Sequence, residues 1–380
     1  MKIAFFSTWR KIGGWPDHSE FIIKGLERLQ VECFRCPLDN DDIKKEDLIK
    51  SMDFEKINRC DAAHVQYEMS FFTSGRKNIF PFFISKIRIP KIVTLHEVYS
   101  ENPYVFPYSC IKAPNMLFLL LKRLSYWYRH PQYYAELKLC RRNFFSDYIT
   151  VHSEYHIPIL RSLGVNTKFL SVVEHGIPFV HFKEKNAIKS AYGFSGKKII
   201  LTFGFLYPTN NYSYIIRALR YLPEEFIYII AGGVRDASHA GIPENVKKFA
   251  RLNGVENRVH ITGFIEGEKR DDYLNMADIY TAPFEVKSIS GSMSWAIGAG
   301  LPILTPRSQM TDDINARVAC LMLYESASPD SFMEQIMRLA NNRELQNQLS
   351  EKAKEYSRNY SYEIMAKKIK DVYEKILSKS

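Results

Sequence analysis

Apolar runs of four to six residues recur along this chain, each followed by a helix-length amphipathic stretch. That alternation leaves few folds open. "KIAFFST" precedes "DHSEFIIKGLERL", where apolar residues return at three- and four-residue intervals. "AAHVQYE", "KIVTLHE" and "DYITVHS" follow, each run ending in a polar cluster. Buried strands joined by helical crossovers write such a pattern, and its expected product is a parallel sheet. After Pro178 the pattern restarts: "KKIILTFGF", a helix from about Tyr212 to Leu222, "FIYIIAGG", a helix around "NVKKFARLNG", then "VHITGFI", "DIYTAPF" and "LPILTP". Charged helical text from about Asp330 to Ser380, with "MAKKIKDVYEKIL" as its last helix, closes the chain. The expectation is an α/β protein of two Rossmann-like, doubly wound domains. One spans 1–177 and takes back the last helix at about 361–380; the other spans 178–360. A length of 380 residues suits two cores of ordinary size.

Composition narrows the partners. Lys and Arg total 52 against 42 Asp and Glu, and a surplus of that sign favours anionic ligands such as nucleotide phosphates or acidic lipid. A lysine-rich solvated surface reads the same numbers without any ligand. Nucleic acid fits the charge, but no recognition module accompanies it, so no nucleic-acid partner is expected. Cys33 and Cys36 are spaced C-x-x-C, yet they sit in the strand-like "VECFRCPL" without a second pair, which predicts buried thiols. The chain opens directly on a strand, and its longest apolar run, "MLFLLL", is too short to cross a bilayer. A reducing cytoplasm is the expected location. Residues 111–145 carry seven Lys or Arg, one Glu and many aromatics. They read either as a surface docking on anionic membrane or as core helices with inward aromatics.

Ligands of doubly wound sheets bind beyond the carboxyl ends of the strands. Gly13 and Gly14 follow the first strand, where bare backbone can approach a ligand or simply turn tightly. Tyr67 and Glu68 end "HVQYE", His96 ends "VTLHE", and His152 ends "ITVHS". His96 suits a sugar hydroxyl or a reacting group, and equally a satisfied structural histidine. In the second half the matching places hold Gly204 to Asn211, Gly232 and Gly233, Gly263 to Ile265, and the stretch "APFEVKSISGSMSWAIGAGLPILTP". There Ser288, Ser290, Gly291 and Ser292 precede an apolar helix whose first-turn N–H groups would attract an anion. The same serines serve as plain helix caps elsewhere. Polar groups on two rims imply a cleft site.

These segments, in this order, resemble the GT-B glycosyltransferases, specifically the retaining, nucleotide-sugar-dependent group called family four. "GGWPDHSEFIIKGLERL" is similar to its glycine-rich loop and first helix, and "VVEHGIP" to its interdomain linker. "LTFGFLYPTNNYSYIIRAL", "IIAGG" and "GSMSWAIGAGLPIL" follow as its nucleotide-binding half does. The resemblance implies sugar transfer from a nucleotide diphosphate to an acceptor hydroxyl of a glycan or lipid-linked molecule, with retention, no metal and no cofactor. It places His96 and Lys287 as catalytic candidates. Donor contacts fall to Gly204, Asn210, Gly263, Phe264, Ile265, Ser290, Gly291 and Ser292. Sugar and acceptor contacts fall to Gly13, Gly14, His18, Tyr67 and Glu68. It also exposes a departure: the family's diphosphate-gripping Arg and Lys match Phe205 and Asn210, and its two glutamates match Lys287 and Trp295. Lys287, Arg10 or Lys11 could return positive charge. A homologue that has lost donor chemistry, or an enzyme with an atypical donor, also fits.

Overall fold

A computed structural model describes residues 1–9, 14–39, 43–75, 77–98, 128, 131–235, 237–265, 267–284 and 290–378. Two compact units emerge, 1–176 with 362–380, and 177–361.

The first unit holds six strands: β1 (Lys2–Ser7), β2 (Glu32–Pro37), β3 (Ala62–Tyr67), β4 (Lys91–Leu95), β5 (Tyr148–Val151) and β6 (Leu170–Val172). They run parallel in the order β2-β1-β3-β4-β5-β6. β3 lies inside the sheet and is buried along its whole length, His64 and Gln66 included. Side chains alternate across β1 with the two-residue period of a strand. Ala4 and Phe6 enter a core with Phe80, Phe83 and Val93. Ile3 and Phe5 enter another with Ile22 and Leu26 of helix α1 (Gly14–Arg28). The closing helix, Tyr362–Leu377, joins that second layer through Ile369, Val372 and Tyr373. Cys33 and Cys36 are buried and free, and burial pushes both thiols up to about 12, as expected of packing residues.

The second unit repeats the build with β7 (Lys198–Phe203), β8 (Phe226–Ala231), β9 (Val259–Ile261), β10 (Ile279–Thr281), β11 (Ile303–Pro306) and β12 (Leu321–Tyr324). The parallel order is β9-β8-β7-β10-β11-β12, which reverses direction between β7 and β10. Ile200, Tyr228 and Ile230 pack against Ile215, Ile216 and Leu219 of the helix Tyr212–Leu219, a turn shorter than its sequence suggested. Beyond the strands the backbones crowd. A Cβ on Gly232 would lie 1.8 Å from the Gly204 carbonyl oxygen, so this crossing admits glycine alone.

Of the basic aromatic stretch 111–145, residues 128 and 131–145 are described, and the rest of that expectation lies outside the described residues. Within the described part Leu139, Cys140 and Phe144 are buried in the core, whereas Arg141 and Arg142 are exposed. No helix among the described residues is long and apolar enough to cross a membrane.

Candidate functional site

The first unit gathers imidazoles at the carboxyl ends of its strands. His96 follows β4 and His152 follows β5; His175 lies just beyond β6, and His18 projects from the second turn of α1. All four are buried. His152 Nε2 lies 3.2 Å from His96 Nδ1, and His96 Nε2 lies 2.5 Å from Gln66 Oε1. His18 stacks on His175 with centroids 4.5 Å apart, and its Nδ1 lies 2.8 Å from the Tyr362 hydroxyl of the closing helix. Trp15 meets His96 edge to face at 4.3 Å. Burial, and then the neighbouring imidazoles, hold His18 and His96 well below the usual imidazole range; burial and His152 bring His175 down to about 3. Desolvation disfavours the charged form, so these rings stay neutral near pH 7.

Other residues expected here do other work. Tyr67 is 2% exposed, stacked on Phe72 in the aromatic core, with its hydroxyl accepting from Asn78 at 3.4 Å. It packs the sheet instead of meeting a sugar, because a strand residue on the apolar layer has no path to the rim. The Glu68 carboxylate caps the turn Met69–Phe72, accepting from the Ser70 amide at 3.2 Å and from the Ser70 hydroxyl. Gly14 opens α1 with free space where a side chain would stand. Gly13, Arg10, Lys11 and Lys287 lie outside the described residues.

In the second unit the rim is built mostly of backbone, hydroxyls and aromatic faces. Gly204 adopts φ +126°, a conformation open to glycine, and its missing Cβ would lie 3.5 Å from Ser292 Cβ. β7 and β10 thus end beside the helix Gly291–Gly298, at the point where the strand order reverses. Ser290 precedes that helix without capping it; its hydroxyl lies 2.8 Å from the Ser292 hydroxyl. The first-turn amides of the helix therefore receive no cap from Ser290. Asn210 is turned inward, its amide donating to the Phe205 carbonyl at 3.3 Å and the Tyr212 hydroxyl at 2.8 Å. A loop closure uses the side chain that was expected at the donor.

Phe264, which is 48% exposed, stacks near Phe205 with centroids 6.0 Å apart and planes 17° from parallel; Gly263 beside it has φ +73°. The Arg235 guanidinium stands over the Phe205 ring at 5.6 Å, and that of Arg270 over the buried Trp295 at 3.4 Å. Both aromatics that the resemblance matched to charged positions are therefore covered by a guanidinium. Sequence reasoning missed Arg235, Arg270 and Gln66, because none ends an apolar run in a recognisable motif. His152 stood at a strand end and His175 in the linker-like "VVEHGIP", but their convergence depends on sheet order.

Residues 184–356 match the family model described as glycosyl transferases group 1. YtcC of Bacillus subtilis strain 168, whose own glycosyltransferase assignment is provisional, is 24% identical over 202 residues, spanning 51% of this chain and 49% of that protein. The match thus covers about half the relative's length. HepE from Anabaena, solved with UDP and glucose, aligns with a TM-score of 0.72 and 12% identity over 99% of this chain and all of that one. Sucrose-phosphate synthase from Thermosynechococcus elongatus aligns at 0.73 and 13% over the full length of both. A third structure, WaaG, a glycosyltransferase involved in lipopolysaccharide biosynthesis, aligns at 0.66 and 14% over 98% of this chain and 99% of that one. The architecture is the GT-B fold.

Proposed function

We propose that this chain, a GT-B protein whose residues 184–356 match the glycosyl transferases group 1, moves a sugar from a nucleotide diphosphate to an acceptor hydroxyl with retention of configuration. One observation carries the reading: an uncapped helix N-terminus at the switch point of the second sheet, beside Gly204. The amides of its first turn and the helix dipole supply fixed positive potential for a diphosphate. Charge builds on that leaving group as the glycosidic bond breaks, and donors already in place stabilise it without reorganisation. In this reading the donor phosphates need no metal. Arg235 adds an exposed cation near Phe205, the position where the resemblance placed an arginine. The exposed face of Phe264, with the backbone of Gly263 and Ile265, borders the nucleobase. His96 and His18 face the sugar and acceptor on the first unit, and Lys287 keeps its role as a second catalytic candidate. The retaining outcome is supported by the resemblance to family four.

The acceptor is a glycan or lipid-linked hydroxyl, and Arg141 and Arg142 offer exposed charge to an anionic membrane. Sedimentation with acidic vesicles should weaken at high salt and fail after charge reversal of both residues. The donor reading is tested by thermal unfolding against UDP, GDP and ADP compounds. A ligand of the native state must raise the melting temperature. Silence from every nucleotide at millimolar concentration would hand the chain to the other reading, a homologue that has lost donor chemistry.

A further inference from the structure

A hollow in the second unit lies outside the donor rim. It opens between the helix Tyr212–Leu219, the helix Ile242–Leu252 and the turn Ala237–His239, with a volume of about 490 Å³. Cavities of that size hold small ligands. Gly204, Phe264 and Ser292 are not among its lining residues. Its ring walls come from Tyr207, Tyr212, His239 and Phe249. Tyr207 and His239 meet edge to face, centroids 5.4 Å apart and planes 78° from parallel, so they form a corner and not a slot. Between the rings stand amides and a hydroxyl. The side chains of Asn211, Asn245 and Ser213 line the cavity and make no hydrogen bond among the described residues. Asn210 is engaged with Phe205 and Tyr212 and holds the wall in place. Both helices start at this cavity, and neither Asn211 nor Gly241 caps its helix through a side chain, so first-turn amides are further donors. No Lys, Arg, Asp or Glu lines the cavity among the described residues. Glu244, in the first turn of the helix Ile242–Leu252, offsets that helix's dipole.

We propose that this cavity binds a neutral pyranoside, one sugar unit of a glycan, at a place separate from the donor site. A sugar hydroxyl both donates and accepts, and a primary amide presents both roles on one side chain. The C–H face of a pyranose is apolar and lies on an aromatic ring, while its hydroxyls reach sideways to the amides. Aromatic side chains supply such contact area together with a polar edge. The corner of Tyr207 and His239 suits a puckered ring with one apolar face; a flat nucleobase would stack on one wall only. An anion would enter without a cation to pair it, because the chain's surplus of Lys and Arg lies elsewhere. Pro208, Gly241 and Asn245 are exposed and set the mouth, so a sugar within a longer chain can enter with its neighbours left in solvent. The site needs no nucleotide, so it stands or falls apart from the donor reading.

Ligand-observed NMR titration of the full chain with methyl α-glucoside, methyl β-galactoside, methyl α-mannoside and maltose tests this, with glucuronate and uridine as charged and planar controls. At least one neutral glycoside should bind saturably in the millimolar range, whether or not any nucleotide also binds. Asn245→Trp fills the mouth from an exposed helix position and should abolish that binding, with the melting temperature of the free protein unchanged. Asn211→Ala removes one amide from a position that caps nothing, and should weaken binding about three- to tenfold. If Asn245→Trp does not fold, Asn211→Ala decides. No binding by any neutral glycoside would overturn the proposal. Equal binding by wild type and both variants would overturn it too, by placing the sugar on another surface. Tighter binding of glucuronate or uridine, lost in Asn245→Trp, would give the cavity to an anion or a base instead.

Discussion

The two sheets share a parallel, doubly wound build, but their rims are made of different material. The first unit finishes its strands with buried imidazoles that hold one another through side-chain hydrogen bonds. The second finishes with glycines, two serine hydroxyls and an uncapped helix end. A side-chain rim tunes protons and ligands one residue at a time. A backbone rim offers fixed dipoles that tolerate side-chain change but not added volume.

The sharpest way to break this comparison is volume in the second rim. Gly232→Ala would put a methyl group against the Gly204 carbonyl, inside van der Waals contact with backbone that cannot swing away. It should cost about 3 kcal/mol or more and show as early melting in a denaturant or thermal scan. Wild-type melting would mean that the loops yield freely, and that the second rim is not set by backbone.

Proton dependence probes the first unit instead. Burial, with the carboxylates of Glu97 and Glu68, pushes Glu136 on the helix Pro131–Cys140 up from 4.5 to about 8. The folded chain holds this proton more tightly than the unfolded chain. Its contribution is therefore complete below about pH 4.5 and is lost as pH rises through about 8. Glu136→Gln should melt like wild type in acid and several degrees higher at about pH 9. Parallel melting curves at every pH would remove Glu136 from the account.

Charge separates the rims next. Ser292→Glu places a carboxylate where a diphosphate is proposed to sit and should weaken UDP binding about tenfold or more in calorimetry. Ser292→Ala should change it only a few-fold, because the amides and not the hydroxyl carry the contact. Equal losses from both variants would convert the second rim into a side-chain site like the first. The smallest effect is expected from Arg235→Ala, about two- to fivefold and vanishing at high salt, since an exposed cation is strongly screened.

Legibility in the sequence divides along the same line. Strands such as "KIAFFS" and "KIVTL" were readable because burial on both faces writes itself as an apolar run, and the doubly wound class followed. The backbone rim was readable as well, since Gly204 and "SISGS" lie where strand text gives way to helix text. The imidazole rim was visible only in fragments. His18, His96, His152 and Tyr362 are far apart in the chain, and only the order β1-β3-β4-β5 and the return of the last helix bring them together. Tyr67 and Asn210 misled for a related reason: position along a strand or loop does not say which way a side chain turns.

The closing helix also bears on how the protein is made. Tyr362 and Tyr373 bond to His18 and His64, so the first unit's polar core is finished by residues translated after the whole second unit. The second unit, contiguous from 177 to 361, can complete its sheet while the first still waits on the ribosome for the helix Tyr362–Leu377. Translation thus reverses the order of the map: the unit begun first is completed second. A nascent chain halted near residue 361 would present its histidines to chaperones as an unfinished surface.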